Sequence, residues 1–100
     1  MGKNEIIELI QQSFDALFDA ELISEKVNVN LDTVLLGTNS ELDSIAFITL
    51  FSEIEDRIAD NTGNEMYLVL SEIHDFNSDK TSLNVEVLVE YIFIKLQNHE

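Results

Sequence analysis

The sequence predicts an all-α protein, a small four-helix bundle formed by one domain of 100 residues. Apolar residues recur at helical spacing in three long segments, and a fourth, shorter segment fits a brief helix. The chain has no proline and only three glycines, so it contains few residues that break helices. Hydrophobic residues make up 45% of the chain, which is enough for a globular core. The expected order is helix, long loop, helix, short helix, helix, with a core region of about residues 5–97.

The first helix is expected over about residues 5–19, because its apolar and charged side chains occupy opposite sides of a helical wheel. Asn4 is the expected N-cap, and Glu5 and Glu8 suit the positive end of the helix dipole. The apolar side is formed by Ile6, Ile7, Ile10, Phe14, Leu17 and Phe18.

Residues 20–42 have weak periodicity. A connection of this length is unusual in a compact domain, so it contains either a short helical turn or a long ordered loop held by its aliphatic residues. Val27, Val29 and Leu35 are among those aliphatic residues, and Gly37–Ser40 is expected to close the segment as a turn.

The second helix has the clearest pattern and is expected from about Ser44 to Ala59. Asp43 is its expected N-cap, and a turn at Asp60–Asn64 is expected to end it. Its apolar stripe covers about a third of the helical wheel. The stripe consists of Phe47, Leu50, Phe51, Ile54 and Ile58.

The remaining chain predicts two further helices. The apolar run Met66–Leu70 is too short to assign from its period. A short third helix is expected over Ser71–Asn77, with Ser71 as its cap. The fourth helix is expected over about residues 85–97, with Asn84 as its cap. Its apolar stripe consists of Val85, Leu88, Val89, Ile92 and Leu96.

Charge and composition exclude several classes of function. Twenty acidic and five basic residues give a formal net charge of −15, so nucleic acids and anionic membranes are not expected partners, whereas basic protein surfaces are. The absence of cysteine excludes disulfides, thiolate metal sites and a thiol nucleophile. Neither a signal peptide nor an apolar stretch long enough to span a bilayer is visible, which favours a cytoplasmic protein.

Leu42, Asp43, Ser44 and Ile45 stand where the long loop becomes the second helix. Alone, these residues are also a common helix start. Three further features accompany them: the upstream Gly37, the acidic amphipathic helix that follows, and the segment at residues 82–92. With these features, the sequence resembles the acyl carrier protein family, which includes peptidyl carrier domains. The resemblance extends over roughly residues 5–97 and implies a bundle of the acyl-carrier type.

The resemblance implies a non-catalytic carrier that bears acyl intermediates as thioesters on a 4′-phosphopantetheine arm attached to Ser44. The implied partners are a phosphopantetheinyl transferase, an acyl-activating ligase or acyltransferase, and synthase enzymes with basic docking surfaces. In the family, the aspartate at the position of Asp43 helps the transferase to recognise the serine. The chain is expected to be a monomer. Fatty-acid carriers often have acidic residues where this chain has Ala46 and Thr49, and an apolar residue at Ser52, so a specialised lipid, polyketide or peptide-type pathway is expected.

A candidate partner face lies beside Ser44 on the second helix, away from its apolar stripe. Its proposed recognition residues are Ile45, Ile48, Glu55 and Asp56. Thr49 and Ser52 lie on the same face. The two isoleucines could instead belong to the core, and the two acids could form an ordinary solvated face. Acidic residues at a docking surface would mainly raise the encounter rate and set the orientation of a basic partner.

Other functions remain as alternatives. The chain could be an acidic helical adaptor that carries no acyl group. Residues from Asp75 to Glu86 match the spacing of a calcium loop in part, but Lys80 replaces the required glycine, so no metal site is expected. His74 and His99 are expected at the surface, and Ser44 lacks the surroundings of a hydrolase nucleophile.

Overall fold

A computed structural model describes residues 2–36, 42–63, 65–77 and 83–97 of the chain. It contains the helices α1 (Lys3–Asp19), α2 (Ser44–Thr62), α3 (Leu70–Phe76) and α4 (Val85–Gln97), and the strands β1 (Val34–Leu36) and β2 (Leu83–Asn84). The two strands pair in antiparallel orientation. The all-α class, the order of the helices, the long first connection and the short third helix are therefore confirmed, and the small ladder is an addition that the sequence did not predict.

The core lies where α1 packs against α2 and α4. Most of the apolar stripe predicted for α2 is buried, and the exception is Phe47, which is half-buried with its ring centroid 4.5 Å from that of Phe51. Each fully buried aliphatic side chain stabilises the fold by about 1.5–3 kcal/mol relative to an exposed one. The largest fully buried apolar side chains are Ile6, Ile10, Leu17, Leu35, Leu50, Ile54, Ile58, Ile73, Leu88, Ile92 and Val85.

The first helix begins earlier than predicted. Gly2, and not Asn4, occupies the N-cap position, and its carbonyl accepts a hydrogen bond from the amide of Ile6 at 3.1 Å. The Glu5 carboxylate reaches back to the amide of Gly2 at 3.3 Å. This contact satisfies a backbone donor at the helix start. The helix therefore begins before Asn4 and does not need the side chain of Asn4 as its cap.

The second helix ends later than predicted, so the expected turn at Asp60–Asn64 is wrong for its first three residues. Asn61 and Thr62 remain helical, with side chains that donate to carbonyls one turn back, at 2.8 and 2.7 Å. The helix stops at Gly63, whose φ of 75° lies in the left-handed region that glycine tolerates best. Asn64 lies outside the described residues.

Of the N-caps predicted for α3 and α4, the structure confirms only the second. Val69, and not Ser71, is the N-cap of α3, and its carbonyl accepts from the amide of Ile73 at 3.0 Å. The segment before it, residues 65–69, has no regular secondary structure and buries Met66 in the core. Asn84 does cap α4 as predicted, because its Oδ1 accepts from the amide of Val87 at 3.0 Å.

Over its described part, residues 20–36 and 42–43, the long connection is an ordered loop that ends in β1 and contains no helix, as the second interpretation of its sequence expects for these residues. The side-chain amide of Gln11 donates to the carbonyl of Val27 and accepts from the amide of Val29, both at 2.8 Å. The carbonyls of Leu31 and Thr33 accept from the first amides of α4, at 3.1 and 2.9 Å. The turn expected at residues 37–40 lies outside the described residues.

Over the ranges that the structure describes, no helix is both long enough and apolar enough to cross a bilayer.

Candidate functional site

Ser44 is the first residue of α2, and its side chain is exposed. The cap directly before it sets its position. Asp43 has an extended backbone, its carboxylate accepts from the amide of Ala46 at 2.8 Å, and its carbonyl accepts from the amide of Phe47 at 2.9 Å. The predicted helix start at Asp43 and Ser44 is therefore confirmed, and it presents the serine hydroxyl to solvent at the positive end of a 19-residue helix.

This position suits a phosphodiester. The amides in the first turn of a helix and the helix dipole both favour an anion. The neighbouring carboxylate of Asp43 is directed to the amide of Ala46, so it already has a backbone partner. An exposed hydroxyl at a helix start can thus accept a covalently attached phosphoryl group without rearrangement of the core.

The cap predicts a measurable contribution of Asp43 to stability. Replacing Asp43 with alanine is expected to lower the free energy of unfolding by about 1 kcal/mol, because the amide of Ala46 loses its acceptor. Asparagine at this position retains a side-chain acceptor and should cost much less. Urea unfolding of the two variants and the wild type measures the difference, and an equal loss in both variants would contradict the role of the cap.

Two isoleucines beside Ser44 point away from the core. Ile45 is 67% exposed and Ile48 is 65% exposed, which excludes the interpretation that they are core residues. The inward positions on this part of α2 belong instead to Ala46 and Leu50, both fully buried. Ser52 and Asp56 continue the exposed side along the helix. We call the four residues Ile45, Ile48, Ser52 and Asp56 the α2 outer face.

Glu55 differs from its neighbour Asp56, although both were predicted to recognise a partner. Its side chain is half-buried, and its Oε2 accepts from the backbone amide of Leu68 at 2.7 Å. Glu55 therefore holds the segment 65–69 against α2. No sequence signal indicates this contact, because an acidic residue at a polar helix position is normally solvated and its partner lies thirteen residues away.

A second polar cluster, also absent from the sequence prediction, joins α3 to α4. Lys95 Nζ lies 2.9 Å from a Glu72 carboxylate oxygen, 3.1 Å from the Tyr91 hydroxyl and 3.2 Å from the carbonyl of Tyr67. The hydrogen bond from Lys95, assisted by one from Tyr91, holds the pKa of Glu72 below its ordinary value. Because folding lowers this pKa, the carboxylate stabilises the fold at neutral pH, and that contribution is lost as the pH falls through the folded value.

The alternative chemistries concern metal ligands and the two histidines. Among the described residues, no group of three or more histidine and acidic side chains could hold a metal ion. Asp75 belongs to α3, while residues 78–82 of the possible calcium loop lie outside the described ranges. His74 is exposed on α3, and His99 also lies outside the described residues.

The candidate site thus consists of a capped and exposed serine together with the exposed isoleucines and acid of the α2 outer face. Glu55 lies beside this face but bonds to the backbone of the next segment. Comparisons of the chain with models of protein families, with characterised proteins and with solved structures find no significant match.

Proposed function

We propose that this protein is an acyl carrier of the phosphopantetheine-dependent type. It is a non-catalytic protein that holds acyl intermediates for other enzymes, with Ser44 as the attachment point of the arm. The observation that supports this most strongly is the exposed hydroxyl of Ser44 at the capped start of α2, directly beside two exposed isoleucines. A serine that only begins a helix does not require exposed apolar neighbours.

The composition of the chain agrees with this role. The arm supplies the thiol on which an acyl group is carried as a thioester, and the chain has no cysteine of its own. The residues that would hold the arm are Ser44, through its hydroxyl oxygen, and the first-turn amides of α2, which favour the attached phosphate. Asp43 fixes the start of that turn through its bond to Ala46.

The proposed partners are enzymes with basic surfaces: the phosphopantetheinyl transferase, a loading ligase or acyltransferase, and a receiving synthase of a specialised pathway. The chain carries a formal charge of −15, and Lys3, Arg57 and Lys95 are each paired with a glutamate. The α2 outer face combines exposed aliphatic side chains with Asp56. Such a face suits a partner that places a small apolar contact within a ring of basic residues.

Attachment at Ser44 has a direct test. Incubation of the purified chain with coenzyme A and a promiscuous phosphopantetheinyl transferase should add about 340 Da to the intact mass of the wild type. Ser44→Ala should remain unmodified. Ser71→Ala, which removes an exposed hydroxyl from α3 and lies outside the α2 outer face, should be modified like the wild type. Modification of Ser44→Ala, or no modification of the wild type, would overturn the proposal.

A second candidate function shares the same surface. The exposed isoleucines and Asp56 also suit an adaptor that binds a basic protein and carries no acyl group. An unmodified wild type that still binds a basic partner through Ile45 and Ile48 would favour this adaptor.

Docking of a basic partner predicts a salt-dependent rate. Asp56→Lys should slow modification of Ser44 by about threefold or more at low ionic strength, because it reverses a charge on the α2 outer face. The difference should shrink at high salt, where exposed charges are screened. Asp60→Lys makes the same change of charge in the last turn of α2, farther from Ser44, and should have a smaller effect.

Initial rates at two salt concentrations, followed by intact mass, measure this prediction. Asp56 is a cleaner position than Glu55, because a change at Glu55 also breaks the bond to the amide of Leu68. Equal slowing by the two reversals would show that only total charge matters, and it would remove Asp56 from the docking surface.

A further inference from the structure

A depression of about 220 Å³ lies where the segment 65–69 meets the last turn of α4. Most of its lining residues are apolar or aromatic, and they are accompanied by one glutamate and one lysine. We call it the α4 depression. Its lining residues are Glu65, Met66, Tyr67, Val69, Lys95 and Leu96.

The chain exposes several large apolar side chains in this depression and in the helix that follows it. Tyr67 is 63% exposed, and Leu70, the first residue of α3, is 48% exposed. With Val69 and Phe76, they form half of the eight large hydrophobic side chains that are exposed among the described residues. All four come from residues 67–76. Such a concentration of exposed apolar surface marks an interaction site.

The wall formed by the segment 65–69 is held in place without a ligand. The amide of Leu68 donates to the Glu55 carboxylate on α2, at 2.7 Å. The carbonyl of Tyr67, the residue before it, accepts from Lys95 Nζ on α4, at 3.2 Å. The segment is therefore bonded to the helices on both of its sides. A partner that binds a preformed surface loses little conformational entropy in ordering it.

The charge beside the apolar lining is negative. The three N–H donors of Lys95 are directed to Glu72, the Tyr91 hydroxyl and the Tyr67 carbonyl. Glu65 accepts from the Tyr67 hydroxyl at 2.8 Å, and no lysine or arginine that the structure describes pairs with it. This hydrogen bond and the charge of the Glu65 carboxylate raise the pKa of Tyr67 above its ordinary value. The surroundings therefore favour a cationic partner over an anionic one.

The size of the depression favours a protein partner over a small molecule. Pockets for drug-sized ligands have volumes of about 300–1,000 Å³ and enclose most of the ligand. The α4 depression has a volume of about 220 Å³, which equals that of roughly seven liquid water molecules. This is space for one bulky side chain. A single apolar anchor of that kind often contributes much of the binding energy of a protein interface.

We infer that the α4 depression docks a basic segment of a partner protein, which inserts one bulky aliphatic side chain and places lysine or arginine beside Glu65 and Glu72. The inference goes beyond the proposed carrier function, since it requires no arm at Ser44. Glu55, which anchors the wall of the depression, lies about 16 Å from Ser44 along α2. A segment bound here therefore need not cover Ser44.

Three short synthetic peptides test the inference. The first has a central leucine flanked by lysines, the second replaces the leucine with serine, and the third replaces the lysines with glutamates. Backbone amide shifts are followed during titration at low ionic strength. The leucine peptide should shift the amides of Tyr67, Leu68 and Leu96. It should bind at least about fivefold more tightly than the serine peptide, because burial of leucine adds to the attraction of the charges.

The glutamate peptide reports the sign of the charge. It carries the same leucine, so any purely apolar attraction to the depression is retained. Because its charges repel those of Glu65 and Glu72, it should cause no measurable shift change at Tyr67. Tighter binding of the glutamate peptide than of the lysine peptide would overturn the choice of a basic partner.

Two pairs of variants locate the binding site of the leucine peptide. Tyr67→Ala should raise its dissociation constant at least about threefold, because it removes part of the apolar lining. Leu31→Ala removes an exposed apolar side chain from the long loop and should leave the constant unchanged. Glu65→Gln should raise the constant about twofold or more. Glu86→Gln makes the same change in the first turn of α4 and should have a smaller effect.

Several other results would overturn the inference. Equal affinity for the leucine and serine peptides would show that charge alone attracts them, as would equal weakening by Glu65→Gln and Glu86→Gln. Shift changes centred on Ile48 and lost in Ile48→Ala would assign the peptide to the α2 outer face. No measurable binding of the leucine peptide would leave the depression without this partner. None of these results bears on the attachment at Ser44, which intact mass measures.

Discussion

Replacing Ile54 with alanine is expected to lower the free energy of unfolding by about 2–5 kcal/mol. Ile54 is fully buried at the centre of α2, where the helix packs against α1. The substitution removes three carbon atoms from this contact and leaves a cavity that the surrounding helices fill only in part. For a domain of this size, the midpoint of thermal unfolding should fall by about 10 °C or more.

Ile48→Ala is a matched control on the same helix. Ile48 is 65% exposed, so the same chemical change should alter stability by no more than about 0.5 kcal/mol. Thermal and urea unfolding of both variants measure the contrast. Similar losses in the two variants would contradict the division of α2 into a buried stripe and an outer face.

The same pair separates stability from docking. If Ile48 belongs to a partner surface, Ile48→Ala should slow modification of Ser44 while leaving the fold intact. Ile54→Ala should impair modification only to the extent that it unfolds the protein. If Ile48 has no role in docking, Ile48→Ala should be modified at the wild-type rate.

The helices could be predicted from the sequence because their signals are local. Apolar residues at helical spacing define one face of a helix from within that helix. The cap at Asp43 and the cap at Asn84 also depend on an amide only three residues away. The end of α2 was harder to predict, because Asn61 and Thr62 satisfy their side chains on the helix itself and only Gly63 ends it.

The ladder and the ordered loop depend on contacts between distant parts of the chain. β1 is three residues long and β2 two, too short for an alternating pattern to appear in the sequence. Their pairing joins Val34 to Asn84 across 50 positions. A single sequence carries no signal for such a partner.

The parts of the candidate site that depend on neighbouring residues could be predicted from the sequence, and the parts that depend on distant residues could not. Ser44 and Asp43 form a compact motif at a helix start, whereas the exposure of Ile45 and Ile48 depends on which side of α2 faces α1. The helical wheel separates them from the main stripe but does not by itself place them in solvent. The bond from Glu55 to Leu68 depends on the path of the chain after α2, which periodicity does not describe.

Gln11 is the residue whose loss should most disturb the long loop. Its amide makes three hydrogen bonds, to the carbonyl of Val27, from the amide of Val29 and to the carboxylate of Asp15. Gln11→Ala leaves two loop backbone groups without their side-chain partner in a half-buried position. The expected cost is about 1–3 kcal/mol of unfolding free energy.

The loss should also be local in its effect on dynamics. Hydrogen exchange at the amide of Val29 should accelerate more than exchange at core amides of α1, because the loop can open without unfolding the helices. Gln11→Glu keeps an oxygen acceptor for Val29 but loses the donor to Val27, so its effect should be intermediate. Gln12→Ala changes the exposed neighbouring residue and should leave both stability and loop exchange close to the wild type.

These variants test what holds the long loop in place. If Gln11 holds the loop in place, Gln11→Ala should weaken the protection of Val29, while Ser44 remains open to modification. Unchanged exchange at Val29, or equal destabilisation by Gln11→Ala and Gln12→Ala, would show that the aliphatic contacts of Val27 and Val29 hold the loop without the glutamine. In that case the order of the loop would depend on apolar packing alone.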